Sequence, residues 1–161
     1  MDVFLNYGRG TLTVPLPANA VPTIIRKPAM PVLAEPVAGV EAALASPVGS
    51  ASLTDIARGK SSACILICDI TRPVPNGLLL PPLIRTLIAA GIPRERIVVL
   101  VATGLHRPNL GEELEELVGD RWVLDTVRVE NHYARNDEDH VDLGRTPHGT
   151  AVKIDRRFVE A

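Results

Sequence analysis

Residues Ala63–Pro75 read ACILICDITRPVP, and residues Ala89–Pro108 read AAGIPRERIVVLVATGLHRP. Each holds a short apolar run, Ala63–Cys68 and Ile97–Ala102, that stops abruptly at a polar loop. Runs this short, rich in Ile and Val and without alternation, read as strands buried on both faces, as a parallel sheet requires. Between them, Leu80, Leu83, Ile84, Leu87 and Ile88 recur at helical spacing within Leu78–Ala90. Pro81 and Pro82 are expected in the first turn of that helix, where a missing N–H costs nothing. Gly91 caps the helix and Pro93 blocks its continuation. Strand, helix, strand of this length is a βαβ unit with parallel strands. The expected fold is α/β: a Rossmann-like, mainly parallel sheet flanked by helices, with an N-terminal antiparallel strand extension.

Downstream, Leu110–Val118 reads as a helix, with Asn109 and Glu112 as a capping box and Gly119 as its end. Val123–Asn131 reads as a third strand, and Val141–Leu143 and Thr150–Ile154 as short further ones. Upstream, seven of the fourteen prolines precede residue 50. They punctuate three expected edge strands, Val3–Tyr7, Leu12–Leu16 and Thr23–Arg26, with Asn6–Gly10 turning between the first two. Val37–Ala45 and Leu53–Ala57 read as short helices, the second with Ser52 as N-cap. The chain thus reads as one domain over 1–161: a Pro-rich strand and helix extension to about residue 62, then the βαβ core.

Composition narrows the function. With 161 residues and 46% apolar content, the chain can bury a sizeable core. Seventeen Lys+Arg against nineteen Asp+Glu leave a net charge of −2, unlike a nucleic-acid binder that works by bulk charge. Five aromatic residues are too few for base-stacking platforms. No run is long enough to span a membrane, and MDVFLNYGRG lacks the pattern of a secretory signal. Cys64 and Cys68 are expected as small buried thiols in a reducing cytoplasm. Of the seventeen basic residues fourteen are Arg, the side chain suited to a planar grip on carboxylate or phosphate.

In open parallel sheets, ligands bind beyond the carboxyl ends of the strands. Three loops meet that condition: Asp69–Gly77, Thr103–Pro108 and the segment starting at Asn131-His132. Asp69, Arg72, His106 and Arg107 should therefore converge in one crevice. Arg72 can fork onto an anion from a proline-stiffened loop. His106 can exchange a proton near neutral pH. Asp69 can orient Arg72 or accept from a ligand hydroxyl. The four glutamates Glu112, Glu113, Glu115 and Glu116 read as a solvated helix face. Asp137-Glu138-Asp139-His140 has the composition of a metal cluster without a ligand spacing, and no metal ligand is assigned in this chain.

These loops carry a family resemblance. DITRPVP (Asp69–Pro75), AAGIPRERIVVLVATGLHRP (Ala89–Pro108) and NHYARN (Asn131–Asn136), in this order, resemble the N-terminal domain of the nickel-pincer-dependent lactate racemase family. Tyr7-Gly8 and the tail LGRTPHGTAVKIDRRFVEA (Leu143–Ala161) are similar as well. The resemblance implies a two-domain racemase or epimerase of small 2-hydroxy acids with its site in the interdomain cleft. It implies a nickel-pincer nucleotide, a pyridinium mononucleotide with two thiocarboxyl-type arms, bordered by Asp69, Ile70, Thr71 and Arg72. It implies that Arg72 also holds the substrate carboxylate and that His106 is one of two acid/bases serving opposite enantiomers.

The family's second histidine, its cofactor-bonding lysine and its nickel-binding histidine have no match here. Lys27, Lys60 and Lys153 lack the glycine-rich context, and His132, His140 and His148 come too early. The expectation is therefore half of an active site, inactive without the C-terminal domain, which would act in cis or as a separate chain. The alternative is a non-catalytic anion- or nucleotide-binding module on the same sheet edge, and a third reading is a different oxidoreductase.

Overall fold

Asp2–Tyr7 (β1) and Gly10–Pro15 (β2) pair antiparallel, Asp2 opposite Pro15 and Tyr7 opposite Gly10. Tyr7 and Gly10 close the expected turn. The computed structural model describes residues 1–161 and divides into two units, Met1–Val32 and Leu33–Ala161. Within the first unit, residues 23–26 are not a strand: they line a cavity of about 770 Å3 with β1 without pairing to it. Pro22 and Pro28 bracket this segment, and each removes a backbone donor a ladder would need.

The second unit opens with two helices, Pro36–Ala45 (α1) and Leu53–Ala57 (α2). Pro36 occupies the first turn of α1, and the Ser52 side chain accepts from Asp55 N at 3.1 Å to cap α2. Both pack on a longer helix that follows the first parallel strand. That strand is Ala63–Ile67 (β3) and the helix is Asn76–Ala89 (α3). The helix begins two residues earlier than its apolar spacing suggested, because Asn76 anchors it by donating from Nδ2 to Leu117 O at 2.9 Å. Pro81 and Pro82 consequently lie inside the helix rather than in its first turn. Its end is a Schellman motif: Gly91, at φ +104°, donates to Ile88 O, and Ile92 donates to Leu87 O at 3.2 Å. Leu87 and Ile92 are both buried beneath it.

Ile97–Val101 (β4) is buried along its whole length. Glu112–Val118 (α4) and Arg121–Thr126 (α5) follow, then Arg128–Asn131 (β5). The expected strand from Val123 is thus half helix. Asp120 starts it by accepting from Val123 N at 3.0 Å, and Val123 and Leu124 pack into the core from the helix. The expected capping box is also replaced, since α4 starts from Gly111 while Asn109 is buried elsewhere.

The three strands form a parallel sheet in the order β3-β4-β5. Register sets Ile67 beside Val101 and Val101 beside Asn131. Their carboxyl ends are therefore level, and the loops after them leave the same edge. Ile97, Val99 and Val101 join Leu80, Ile84 and Leu87 of α3 in one core. The strand β3 lies on the outside of the sheet and is not buried on both faces: Leu66 is 48% exposed. The cysteines differ accordingly from expectation, with Cys64 half-buried and Cys68 exposed just past the strand. An edge strand loses cover on one side, which a run of apolar letters does not reveal.

The chain ends with an antiparallel hairpin, His140–Arg145 (β6) and Ala151–Asp155 (β7), and a short helix, Arg156–Val159 (α6). No helix is long and apolar enough to cross a membrane.

Candidate functional site at the carboxyl edge of the sheet

Immediately beyond β3, Asp69 folds its loop back on itself. Its Oδ1 accepts from Thr71 N at 3.0 Å and from the Thr71 hydroxyl at 2.5 Å, and its backbone carbonyl accepts from Arg72 N at 3.1 Å. This Asx turn fixes the carboxylate although the loop is exposed. Beyond β4, Thr103 N turns back onto Val101 O, and His106 N onto Thr103 O. The turn brings His106 Nδ1 to 2.5 Å from Asp69 Oδ2.

The Asp69 carboxylate is buried and the His106 ring is half exposed. The Thr71 hydroxyl holds the Asp69 carboxyl down to about 2 against burial, with His106 and the Thr71 amide adding to the effect. An ionised Asp69 can only accept, so the proton between the two groups sits on His106 Nδ1. In the neutral ring this leaves the Nε2 lone pair available for chemistry.

Cys68, Asp69, Arg72, Thr103, Gly104 and His106 line one crevice of about 340 Å3. The expected convergence of Asp69, Arg72 and His106 is what the fold builds. Arg72 is exposed, and its guanidinium donates to the Thr71 hydroxyl at 3.2 Å. Asp69 thus reaches Arg72 through Thr71 rather than directly, and its second oxygen goes to His106. Ile70 is half-buried and packs against the core, and neither it nor Thr71 lines the crevice.

Arg107 does not join the crevice. It forks onto Glu113 at 2.5 and 2.6 Å, and Glu113 is drawn out of the solvated helix face expected of it. Arg107, then Asn109, hold the Glu113 carboxyl down to about 2. Six residues separate the pair, so the fork closes across the start of α4.

Two buried amides were not anticipated. Asn109 and Asn131 are 1% and 5% exposed. Asn109 N donates to Asn131 Oδ1 at 2.9 Å, and Asn131 Nδ2 donates to Asn109 O at 2.8 Å. Asn131 O in turn accepts from Arg157 Nη2 at 3.1 Å, and Arg157 also pairs with Asp155 and Glu130. An asparagine ending a strand, with another just past a strand-end loop, was the available clue. Next to them His132 Nε2 lies 2.9 Å from His140 Nε2, and Thr103 donates to His132 O at 2.6 Å. No group of three or more His, Cys, Asp or Glu is placed to hold a metal ion, the Asp137–His140 stretch included. Asp137 pairs instead with Lys153 at 2.8 Å.

The parallel sheet and its polar edge define an α/β domain of Rossmann-like build, with a carboxylate–imidazole pair and an exposed guanidinium in one crevice. The chain belongs to the lactate racemase N-terminal domain family, whose profile matches residues 7–161. It is 38% identical over 122 residues to the lactate racemase of Lactiplantibacillus plantarum, covering 76% of this chain and 28% of that protein. Against the lactate racemase of Thermoanaerobacterium thermosaccharolyticum it is 31% identical over 164 residues, covering 99% and 38%. The solved apoprotein of that second enzyme superposes with a TM-score of 0.78 at 29% identity, covering all of this chain and 37% of the other. A Thermotoga maritima protein of known structure shares the fold at a TM-score of 0.53 and 22% identity, over 75% of this chain and 29% of that one. The chain therefore spans about a third of the length of the curated relatives it matches.

Proposed function

We propose that this domain supplies one wall of the cleft of a 2-hydroxyacid racemase or epimerase, with lactate or a close analogue as substrate. The observation that carries this reading is the Asp69–His106 contact opening onto the same crevice as Arg72. Arg72 grips the substrate carboxylate through parallel N–H donors. Held by Asp69, His106 takes the hydroxyl proton of one enantiomer at Nε2 and gives it back when that enantiomer is re-formed, while the second acid/base serves the other enantiomer. Asp69 stays ionised throughout, fixing the tautomer and offsetting the charge that His106 gains.

Removing a hydroxyl proton does not by itself invert a carbon. The family's nickel-pincer nucleotide, when bound, supplies the hydride acceptor. The Asp69–Arg72 loop is suited to border such a group, because it presents an exposed guanidinium and a preformed turn. The side chains here do not gather into a nickel-ligating set. Nickel ligation, covalent tethering and the second acid/base are assigned to a C-terminal domain, joined in cis or supplied as a separate chain. Both thiols are unpaired, in keeping with a cytoplasmic home.

The test is isotope-free. Full-length parent loaded with cofactor is incubated with one enantiomer of lactate, and the other is assayed. Interconversion that His106→Ala abolishes is expected, with none from residues 1–161 alone. Racemisation surviving His106→Ala, or catalysed by this chain alone, would overturn the assignment.

A further inference from the structure

Asn109, beyond the loop that follows β4, is bonded both to the loop after β3 and to the end of β5. Its backbone N and O are held by the Asn131 side chain at the end of β5. Its Oδ1 accepts from Ile70 N at 3.3 Å, one residue after Asp69. Its Nδ2 donates at 2.8 Å to Glu113, which grips Arg107, one residue after His106. Asn109 therefore sits between the neighbours of both members of the acid/base pair. No buried side-chain nitrogen or oxygen is left without a partner, so this network is complete.

We propose that Asn109 is a positioning residue: its amide sets the separation of the Asp69 and His106 loops and so keeps Asp69 Oδ2 on His106 Nδ1. The need for such a tie follows from the fold. Asp69 hangs from the outer strand β3, whereas His106 follows the central strand β4. The Asx turn fixes Asp69 relative to its own loop only. Across the gap, Asn109 supplies the bond to Ile70 N, and a slip of about an ångström takes a short hydrogen bond out of range. The alternative would be an amide that merely satisfies buried backbone groups, with no influence on the pair.

In calling Asp69–His106 an acid/base pair the inference rests on the proposed function, but the geometry does not. The first experiment is nitrogen-15 NMR on residues 1–161 carrying Asn109→Ala. His106 is expected to lose its Nδ1–H form for the Nε2–H form, and the Asp69 carboxyl to rise part of the way from about 2, since the Thr71 hydroxyl still holds it down. A folded Asn109→Ala chain that keeps the Nδ1–H form and the low Asp69 value overturns the proposal. Should Asn109→Ala fail to fold, Asn109→Ser keeps a polar group in place but cannot reach Ile70, and the same readings decide. The second experiment is kinetic. In the loaded full-length parent, Asn109→Ala is expected to lower kcat at least about tenfold. A parent that racemises nothing sinks the proposed function, while the tautomer still decides the role of Asn109.

Discussion

His106 Nδ1 and Asp69 Oδ2 meet at 2.5 Å although 37 residues of chain separate them. Level strand ends make this possible, since Ile67 and Val101 are partners in the ladder. The contact converts two loop residues into one unit, with the carboxylate holding the proton on one side of the ring and freeing the other.

Asp69→Asn should disable that unit while sparing the fold. The amide keeps the shape but not the charge, and it no longer enforces the Nδ1–H form. In the full-length parent, turnover should fall at least about a hundredfold. Enantiomer interconversion checks this; a rate within about threefold of wild type would show that His106 acts without its partner.

Asp69 should also leave a trace in acid stability. Its folded carboxyl lies at about 2 against 3.8 when free. As pH falls, the unfolded chain takes up the proton first. The stabilisation is whole above about pH 4, shrinks between roughly pH 4 and 2, and is lost below, amounting to at most about 2 kcal/mol. The measurement is the gap between wild-type and Asp69→Asn urea midpoints on residues 1–161, which should narrow across that window. A constant gap would contradict it.

Arg72→Ala should lower kcat/KM at least about tenfold, the value of one or two charge-assisted hydrogen bonds. The melting temperature should stay put, because the side chain is exposed and hydrogen-bonds the adjacent Thr71 hydroxyl of its own loop. Arg72→Lys should rescue little, since an ammonium cannot reproduce the planar fork. Full activity with lysine would point to a simple point-charge role.

Gly77→Ala should destabilise the domain without touching the crevice. A Cβ at residue 77 would stand 2.5 Å from Gly119 O and 3.0 Å from Gly119 C. Both are backbone atoms, so α3 and the end of α4 would have to part. A cost of about 1–3 kcal/mol is expected from urea unfolding, and a change under about 0.5 kcal/mol would show that the contact is looser than it looks.

His132 should weaken the fold on mild acidification. Burial holds its ring below the usual 6.5, helped by His140 and Arg157 and opposed by Asp155 and Asp139. A histidine depressed in the folded state stabilises fully above its free value, and the benefit fades as pH falls through the folded one. Unfolding midpoints from about pH 8 to 5 should fall for wild type and flatten in His132→Gln.

Much of this was legible in the residues. The unalternating runs around Cys64 and Val99 announced a parallel sheet, and the rule about carboxyl ends then picked out Asp69, Arg72 and His106. What escaped has physical causes. Val123, Val127 and Val129 suit a strand as well as a helix, and only the Asp120 cap tips the first of them into α5. Whether Arg107 faces a ligand or Glu113 depends on where α4 starts, which periodicity does not fix to a residue. Asn109 looks like a cap because its type caps helices; besides Glu113, its partners Ile70 and Asn131 are 39 and 22 positions away.

The burial of β4 has a consequence in time. All five of its residues are shielded, and it is hydrogen-bonded on both sides. Its amides should be the last of the second unit to trade hydrogen for deuterium, and those of β3, with Leu66 open to solvent, should trade sooner. His106 then hangs from the slowest-opening strand and Asp69 from a faster one. Brief detachment of β3 would part the two side chains while most of the domain stays folded, so the pair should break and re-form many times within the lifetime of one folded molecule.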